Sequence, residues 1–421
     1  MVAYCVQSNV IRGLTKTQYD LLREMCRYSN NLYNVALYTI RQHYFNTKQF
    51  LTYESNYHEC KTNENYGLLQ AGISQQIMKV VDRSFKSFFN LWKKCKVGDY
   101  RYHDVNIPHY RPKGGMFNLI MSTNAFVVKN GYLYVPMSRN FRALHPDVKE
   151  IKIIFPKRLA DKTVKEVRIL PFNNGHYFKI QYVYEVEQES TNLDRDNMLS
   201  IDLGVDNLAT CVSTVGTPFI MDGRKLKSIN HQWNKKLARL RSISMKQKLK
   251  TTKRIQNITT KRNNQVNDII KKSARYIINY CIKNSIGTLI VGYNADFKRY
   301  SNIGKVNNQN FVQIPLGDLR QQIEFLCWKY QIDYIEQEES YTSKSSFLDR
   351  DVLPEYKAEQ LYEGTFSGKR IKRGLYQSKN GTIVNADVNG AANILRKCKQ
   401  NVDFDKLCTG LLTSPTRIRV S

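Results

Sequence analysis

Apolar positions follow two different periods along this chain. In residues 19 to about 44, Leu21, Leu22, Met25, Cys26, Leu32, Val35 and Ala36 recur at helical spacing, and Thr15-Lys-Thr-Gln18 offers a capping box at the start. A second helix carries Ile73, Ile77, Val80, Val81, Phe88, Leu91 and Trp92 on one stripe, with Lys79, Arg83, Lys86, Lys93 and Lys94 off it. Together they predict a helical lobe with a basic outer face. After Ile107-Pro-His-Tyr-Arg-Pro-Lys-Gly-Gly115 the period falls to two. Residues 126–135 read as a hairpin turning at Asn130-Gly131, and residues 152–155, 164–170 and 177–184 continue an antiparallel set. Residues 2–7 form a first strand ahead of the lobe, so the lobe is inserted into a small barrel or curled sheet.

The second half opens with Leu199-Ser-Ile-Asp-Leu-Gly204, a buried strand carrying the single acid Asp202, followed by another strand at 208–213. A carboxylate there is costly unless a cation or metal pairs with it, although Asp before Gly also marks ordinary turns. Residues 224–275 hold 17 Lys or Arg against one acid, Asp268, with apolar residues spaced as in two helices that present phosphate-facing sides. A buried strand at 288–291, an amphipathic helix at 315–329 and a strand at 332–335 complete a strand–helix alternation. Such alternation implies a sheet covered by helices. Residues 185–197 are polar and acidic, the natural linker.

Composition narrows the partners. The chain has 421 residues, room for two or three cored domains, and a formal charge of +29. With a pI near 9.7, it requires an anionic partner, of which nucleic acid is the commonest. Its 27 Tyr and 18 Phe include surfaces on which bases could stack. Nine cysteines without a C-x-x-C pair argue against a zinc ribbon and against a disulfide framework. The amino-terminal residues show no secretory signal and no run matches a membrane span, so a soluble intracellular protein is expected.

Three acids from separate elements could form a site. Glu336, Glu338 and Glu339 follow the strand at 332–335, and Asp387 stands at a helix start before the small residues 390–392. Two-metal phosphodiester chemistry needs carboxylates converging from several elements, and Asp202, Glu339 and Asp387 have the right chemistry. Each also has a plainer use: a turn Asp, a surface Glu, a helix N-cap.

Asp202-Leu-Gly, Glu339-Ser-Tyr-Thr-Ser-Lys344, Phe366-Ser-Gly-Lys-Arg-Ile-Lys-Arg-Gly-Leu-Tyr376 and Asn385-Ala-Asp-Val-Asn-Gly-Ala391 resemble the RuvC motifs of the TnpB proteins, relatives of type V CRISPR effectors and Fanzor. The resemblance implies an α+β multidomain fold. A wedge β-barrel (1–12 and 102–190) would be interrupted by a helical recognition lobe (13–101). A linker (191–197), an RNase H-like RuvC domain (198–340 and 380–400), an insert at the zinc-ribbon position (341–379) and a tail (401–421) would follow. It also implies an RNA-guided DNA endonuclease that cuts beside a short flanking motif, with Asp202, Glu339 and Asp387 holding two Mg²⁺, or Mn²⁺ in their place. The partners would be a guide RNA from the encoding element and double-stranded DNA, one monomer per RNA, with no membrane. The location would be the cytoplasm, at the nucleoid of a prokaryotic host.

Two features depart from the family pattern. Gly292 stands where many members carry the catalytic Glu, which matches a branch with a relocated glutamate; Glu338 and Asp296 are the runners-up to Glu339. The four zinc-ribbon cysteines are absent, with Ser343, Ser345 and Ser346 in their region, so no structural zinc is expected. Lys79, Arg83, Lys86, Arg111, Lys113, Lys235, Lys236, Arg239, Lys253, Arg254, Lys344, Lys369, Arg370 and Arg373 are the candidate nucleic-acid contacts. Two other readings remain open: a guided binding regulator without cleavage, and a transposase using an acid triad.

Overall fold

The computed structural model describes residues 3–294, 313–355, 364–399 and 414–420. They form two compact units that divide between Glu187 and Gln188.

The first unit begins with β1 (Ala3–Val10) and the long helix α1 (Lys16–Thr47). The expected capping box is present: the Thr15 hydroxyl accepts from the Gln18 amide at 3.2 Å, and the Gln18 side chain accepts from the Thr15 amide at 3.1 Å. Residues that showed no clear pattern between α1 and the next long helix form α2 (Tyr53–Cys60) and α3 (Glu64–Gly67). Helix α4 (Ala71–Lys96) buries Ile73, Ile77, Val81, Phe85 and Phe88, while Trp92, expected on that stripe, is 39% exposed.

Two antiparallel sheets follow. Strands β2 (Leu119–Ser122), β3 (Val127–Lys129) and β4 (Tyr132–Val135) precede a short helix α5 (Arg139–Leu144) and β5 (Ile151–Ile154). Then come β6 (Val164–Phe172) and β7 (Tyr177–Val186). The predicted turn is there, with Asn130 and Gly131 both left-handed at φ 52° and 74°. The strand orders are β1-β7-β6-β2 and β3-β4-β5. Among the described residues no ladder joins the two sheets, so the barrel expected from the sequence is instead a pair of open sheets. Alternation along a strand fixes which face is buried but says nothing of which edges meet. One apolar core runs through α1, α4 and both sheets.

The second unit is built on a mixed sheet. Strand β8 (Asp194–Leu203) starts well before the expected position and takes in residues 194–197 of the presumed linker. The remaining linker is also held, Glu189 donating its amide to the Lys329 carbonyl at 2.7 Å. Next come β9 (Asn207–Ser213), β10 (Phe219–Asp222) and the two basic helices α6 (Arg224–Lys246) and α7 (Lys253–Lys283). They are followed by β11 (Ile286–Tyr293), α8 (Leu316–Lys329) and β12 (Asp333–Glu338). A small antiparallel sheet, β13 (Lys369–Lys372), β14 (Leu375–Gln377) and β15 (Ile383–Asn385), leads into α9 (Ala386–Cys398). Strand β16 (Thr416–Ile418) joins the main sheet, whose order is β12-β11-β8-β9-β10-β16. Strands β8, β9 and β10 form an antiparallel meander, β11 and β12 run parallel to β8, and β16 runs parallel to β10.

Parity along β8 assigns the faces. Leu199 and Ile201 share a core with α7 and α8, whereas Met198 packs with α9. The Ser200 hydroxyl donates to the Ala391 carbonyl at 2.7 Å, so α9 lies close on that face. Asp202 has the parity of Met198 and Ser200 and points the same way.

Candidate active site

Asp202 is enclosed where β8 runs under α9. A Cβ placed on Gly390 would stand 2.9 Å from its Oδ2, so the small residues at 390–392 are what let a carboxyl fit between sheet and helix. Desolvation there pushes its pKa well above the usual carboxylate range, and the charges of Glu339 and Asp387 push it further, against a smaller opposing pull from Arg370. The charges of the other two acids picked out in the sequence thus both bear on Asp202.

Asp387 lies in the first turn of α9 but is not its cap. That role belongs to Asn385, whose side chain accepts from the Asp387 and Val388 amides at 3.0 and 3.2 Å. The Asp387 carboxylate is therefore free to point into the site from the positive end of the helix. The Asn207 amide donates to its Oδ2, and Arg370 donates to its Oδ1 at 3.4 Å.

Strand β12 runs on through Glu338, and the next residue turns into the site. Glu338 is held elsewhere: its Oε2 is 2.5 Å from the buried Lys397 ammonium, and its Oε1 accepts from the Ser340 amide at 2.6 Å. Desolvation would raise its pKa, but the hydrogen bonds from Lys397 and Ser340 outweigh it and the net shift is downward. Glu339 shows the opposite behaviour, raised by burial and then by the Glu338 charge. A Cβ on Gly292 would fall 2.7 Å from Glu339 Oε2 and 2.6 Å from Ile394 Cδ1. The space that a side chain on β11 would need is filled by the carboxylate of Glu339. Asp296 lies outside the described residues.

A cleft of about 840 Å³ opens beside Asp202 and Asp387. Its cations come from three places: Arg224 and Lys227 at the start of α6, Arg370 and Arg373 from the small sheet, and Arg417 from β16. Of the predicted basic contacts, Arg370 and Arg373 reach this cleft. Asp206, Asn207 and Arg417 line it too and were not singled out in the sequence. Asp206 pairs with Lys227 at 2.5 Å and with Arg373, and its place four residues after Asp202, past Gly204, was the available signal. Lys113, Lys235, Lys236, Arg239, Lys253, Arg254, Lys344 and Lys369 are exposed on other surfaces of their units. Arg83 is exposed on α4, Lys79 lies over the Tyr53 ring and Lys86 pairs with Asp82 at 2.8 Å. Arg111 is turned inward, donating to Asn30 Oδ1 and the Met116 carbonyl at 3.1 Å each while its guanidinium sits 4.3 Å from the centre of the Phe117 ring. It supports the fold of the first unit and is not placed to grip phosphate.

The donor set suits a hard divalent cation, since it consists of carboxylate oxygens. Among the described residues, no three His, Cys, Asp or Glu side chains are drawn into a ready-made metal cage. In the region of the missing cysteines, Ser346 donates its amide to Asp351 Oδ2 at 2.8 Å and its hydroxyl to Asp349 Oδ2 at 2.5 Å. Asp349 Oδ2 also accepts from the Lys379 amide at 2.9 Å, and the Tyr376 hydroxyl donates to the Lys344 carbonyl at 2.8 Å.

A family model described as a probable transposase, OrfB_IS605, matches residues 181–298, and one for the Cas12f1-like TNB domain matches residues 317–394. TnpB-like protein ORF457 of Acidianus two-tailed virus is 22% identical over 425 residues, covering 93% of this chain and 86% of its own. These matches support the TnpB family. The chain's fold is that of Cas12f1 as seen in a cryo-EM structure of a Cas12f1–sgRNA–target DNA complex, with a TM-score of 0.61 at 16% identity over 90% of this chain and 83% of the other. Both family-model matches take in candidate site residues: the first spans Asp202, Asp206 and Asn207, the second Glu339, Arg370 and Asp387. Among the described residues no helix is long and apolar enough to cross a membrane.

Proposed function

We propose that this TnpB-family protein is an RNA-guided DNA endonuclease whose cutting site is formed by Asp202, Glu339 and Asp387 at the end of the cleft that Asp202 and Asp387 line. The observation that carries the reading is the enclosure of Asp202 on β8 within reach of the charges of Glu339, at the end of β12, and Asp387, at the start of α9, beside a cleft lined by arginines. The strand order, an antiparallel meander extended by two parallel strands, agrees with an RNase H-like RuvC sheet. Two Mg²⁺ ions, or Mn²⁺, held by these acids would supply an activated water and stabilise the leaving oxygen.

The chain's own residues do the rest. Asn207 fixes one oxygen of Asp387 as an acceptor and leaves the other to Arg370. Arg370, Arg373, Lys227 and Arg224 stand where a phosphodiester in the cleft would need positive charge. Lys397 keeps Glu338 out of the site, so that Glu339 supplies the third carboxylate in the branch with a relocated glutamate. In the insert, the Ser346, Asp349 and Asp351 bonds support a fold without structural zinc. The guide RNA would come from the encoding element and pair with double-stranded DNA beside a flanking motif, with one protein per RNA, while the protein holds the heteroduplex by its backbone.

The test is to purify the protein with its genomic flanks, sequence the RNA that accompanies it, and present matched DNA with Mg²⁺. A single structured RNA and guided cleavage that disappears in Asp202→Ala are expected. Guided binding without cleavage would move the protein to the regulator reading, and the absence of any specific RNA would overturn guidance itself.

A further inference from the structure

The site depends on the far end of the chain. Strand β16 is the sixth strand of the main sheet, pairing Arg417 with Ile220 of β10, and its neighbours Ile418 and Val420 pack into the unit's core. The Thr416 amide donates to the Pro218 carbonyl at 3.2 Å. From this edge Arg417 Nη1 donates to Asn207 Oδ1 at 2.8 Å. Asn207 in turn donates through Nδ2 to Asp387. Nearby, Asp222, which faces Asn207 across β9 and β10, lies 4.0 Å from Arg417 and 3.5 Å from Arg419.

An arginine only donates and a carboxylate only accepts. The amide of Asn207 stands between one of each, so its orientation is dictated from both sides. Without the arginine, Asn207 could rotate and present its oxygen to Asp387, a repulsive contact in place of a hydrogen bond. We infer that Arg417 is a positioning residue that acts through Asn207 to hold Asp387 in the geometry needed for a divalent cation, making β16 part of the catalytic apparatus. This rests on the reading of Asp387 as a metal ligand. Outer-shell partners of this kind typically change metal affinity or activity by about 10–100-fold.

The experiment is a Mn²⁺ titration of the full chain with its guide RNA, followed by electron paramagnetic resonance of the free ion and paired with cleavage kinetics. Wild type should bind Mn²⁺ more tightly than Asp387→Ala; equal binding would overturn the metal-site reading itself. Arg417→Met should weaken Mn²⁺ binding by about tenfold and lower kcat, with KM for DNA unchanged. Arg417→Lys, which keeps a donor, should recover most of the loss. Arg419→Met, which removes a bond to Asp222 but none to Asn207, should bind Mn²⁺ as wild type does. Asn207→Ala should match Arg417→Met, and the double variant should be no worse than either single one. If Arg417→Met keeps wild-type Mn²⁺ affinity and raises only KM, Arg417 contacts DNA directly and the inference fails. Additive losses in the double variant would likewise overturn it, since the strand would then act only through packing.

Discussion

One cluster of acids in the second unit contrasts with the paired charges of the first. In the first, Asp82 meets Lys86 at 2.8 Å, and Arg111 satisfies itself against Asn30, Met116 and the Phe117 ring. Each charge is answered locally. In the second, Asp202, Glu339 and Asp387 converge at one end of a sheet, and burial, then the charges of the other two acids, raises the Asp202 pKa well above the usual carboxylate range. A fold keeps such an arrangement only when something else benefits from it, so uncancelled charge separates a site from scaffold.

The sharpest way to break this contrast is Asp202→Ala. Cleavage should fall by roughly a thousandfold or more, while the thermal midpoint stays level or rises, because a strained like-charge cluster is relieved. A large fall in the midpoint would make Asp202 an ordinary structural residue. Next, Glu339→Ala should lower cleavage by on the order of a hundredfold and exceed the effect of Glu338→Ala in the same assay. If Glu338→Ala is the more damaging, the assignment is off by one residue.

In the first unit, Arg111→Ala should cost about 2 kcal/mol of stability in denaturant titrations and leave the salt dependence of RNA binding unchanged. A reduced salt slope would restore it to the phosphate contacts. The smallest effect concerns Asp222, whose pKa its hydrogen bond to Arg224 lowers to about 2 despite opposing desolvation. A depressed carboxylate contributes stability above its unfolded pKa of about 3.9 and loses it as pH falls through the folded value. Asp222→Asn should therefore cost about 1 kcal/mol at neutral pH, its partners being half-exposed, and the difference from wild type should shrink between about pH 4 and pH 2.

What could be read from the sequence was local. The cap at Thr15, the turn at Asn130-Gly131 and the acid in Asp202-Leu-Gly each depend on a few adjacent residues, and all three stand where they were expected. The failures were non-local. Whether two sheets close depends on edges far apart in sequence, and whether Arg111 faces water depends on Asn30, 81 positions away. Asp387 could not be told from a helix cap without knowing that Asn385 already fills that role. Arg417 was invisible because the tail has no pattern of its own; its meaning comes from the strand beside it.

The missing side chain of Gly292 has a consequence for how lineages of such proteins are compared. Column by column, a chain with glycine at position 292 in place of an acid would be taken for a dead enzyme. By volume, the position is occupied, by an oxygen that arrives from the adjoining strand. On the proposed reading of Glu339, an acid at the end of one parallel strand can serve in place of one on its neighbour provided the facing position is small enough to make room. Where an acid vanishes and a glycine replaces it, the next strand is the place to look for its successor.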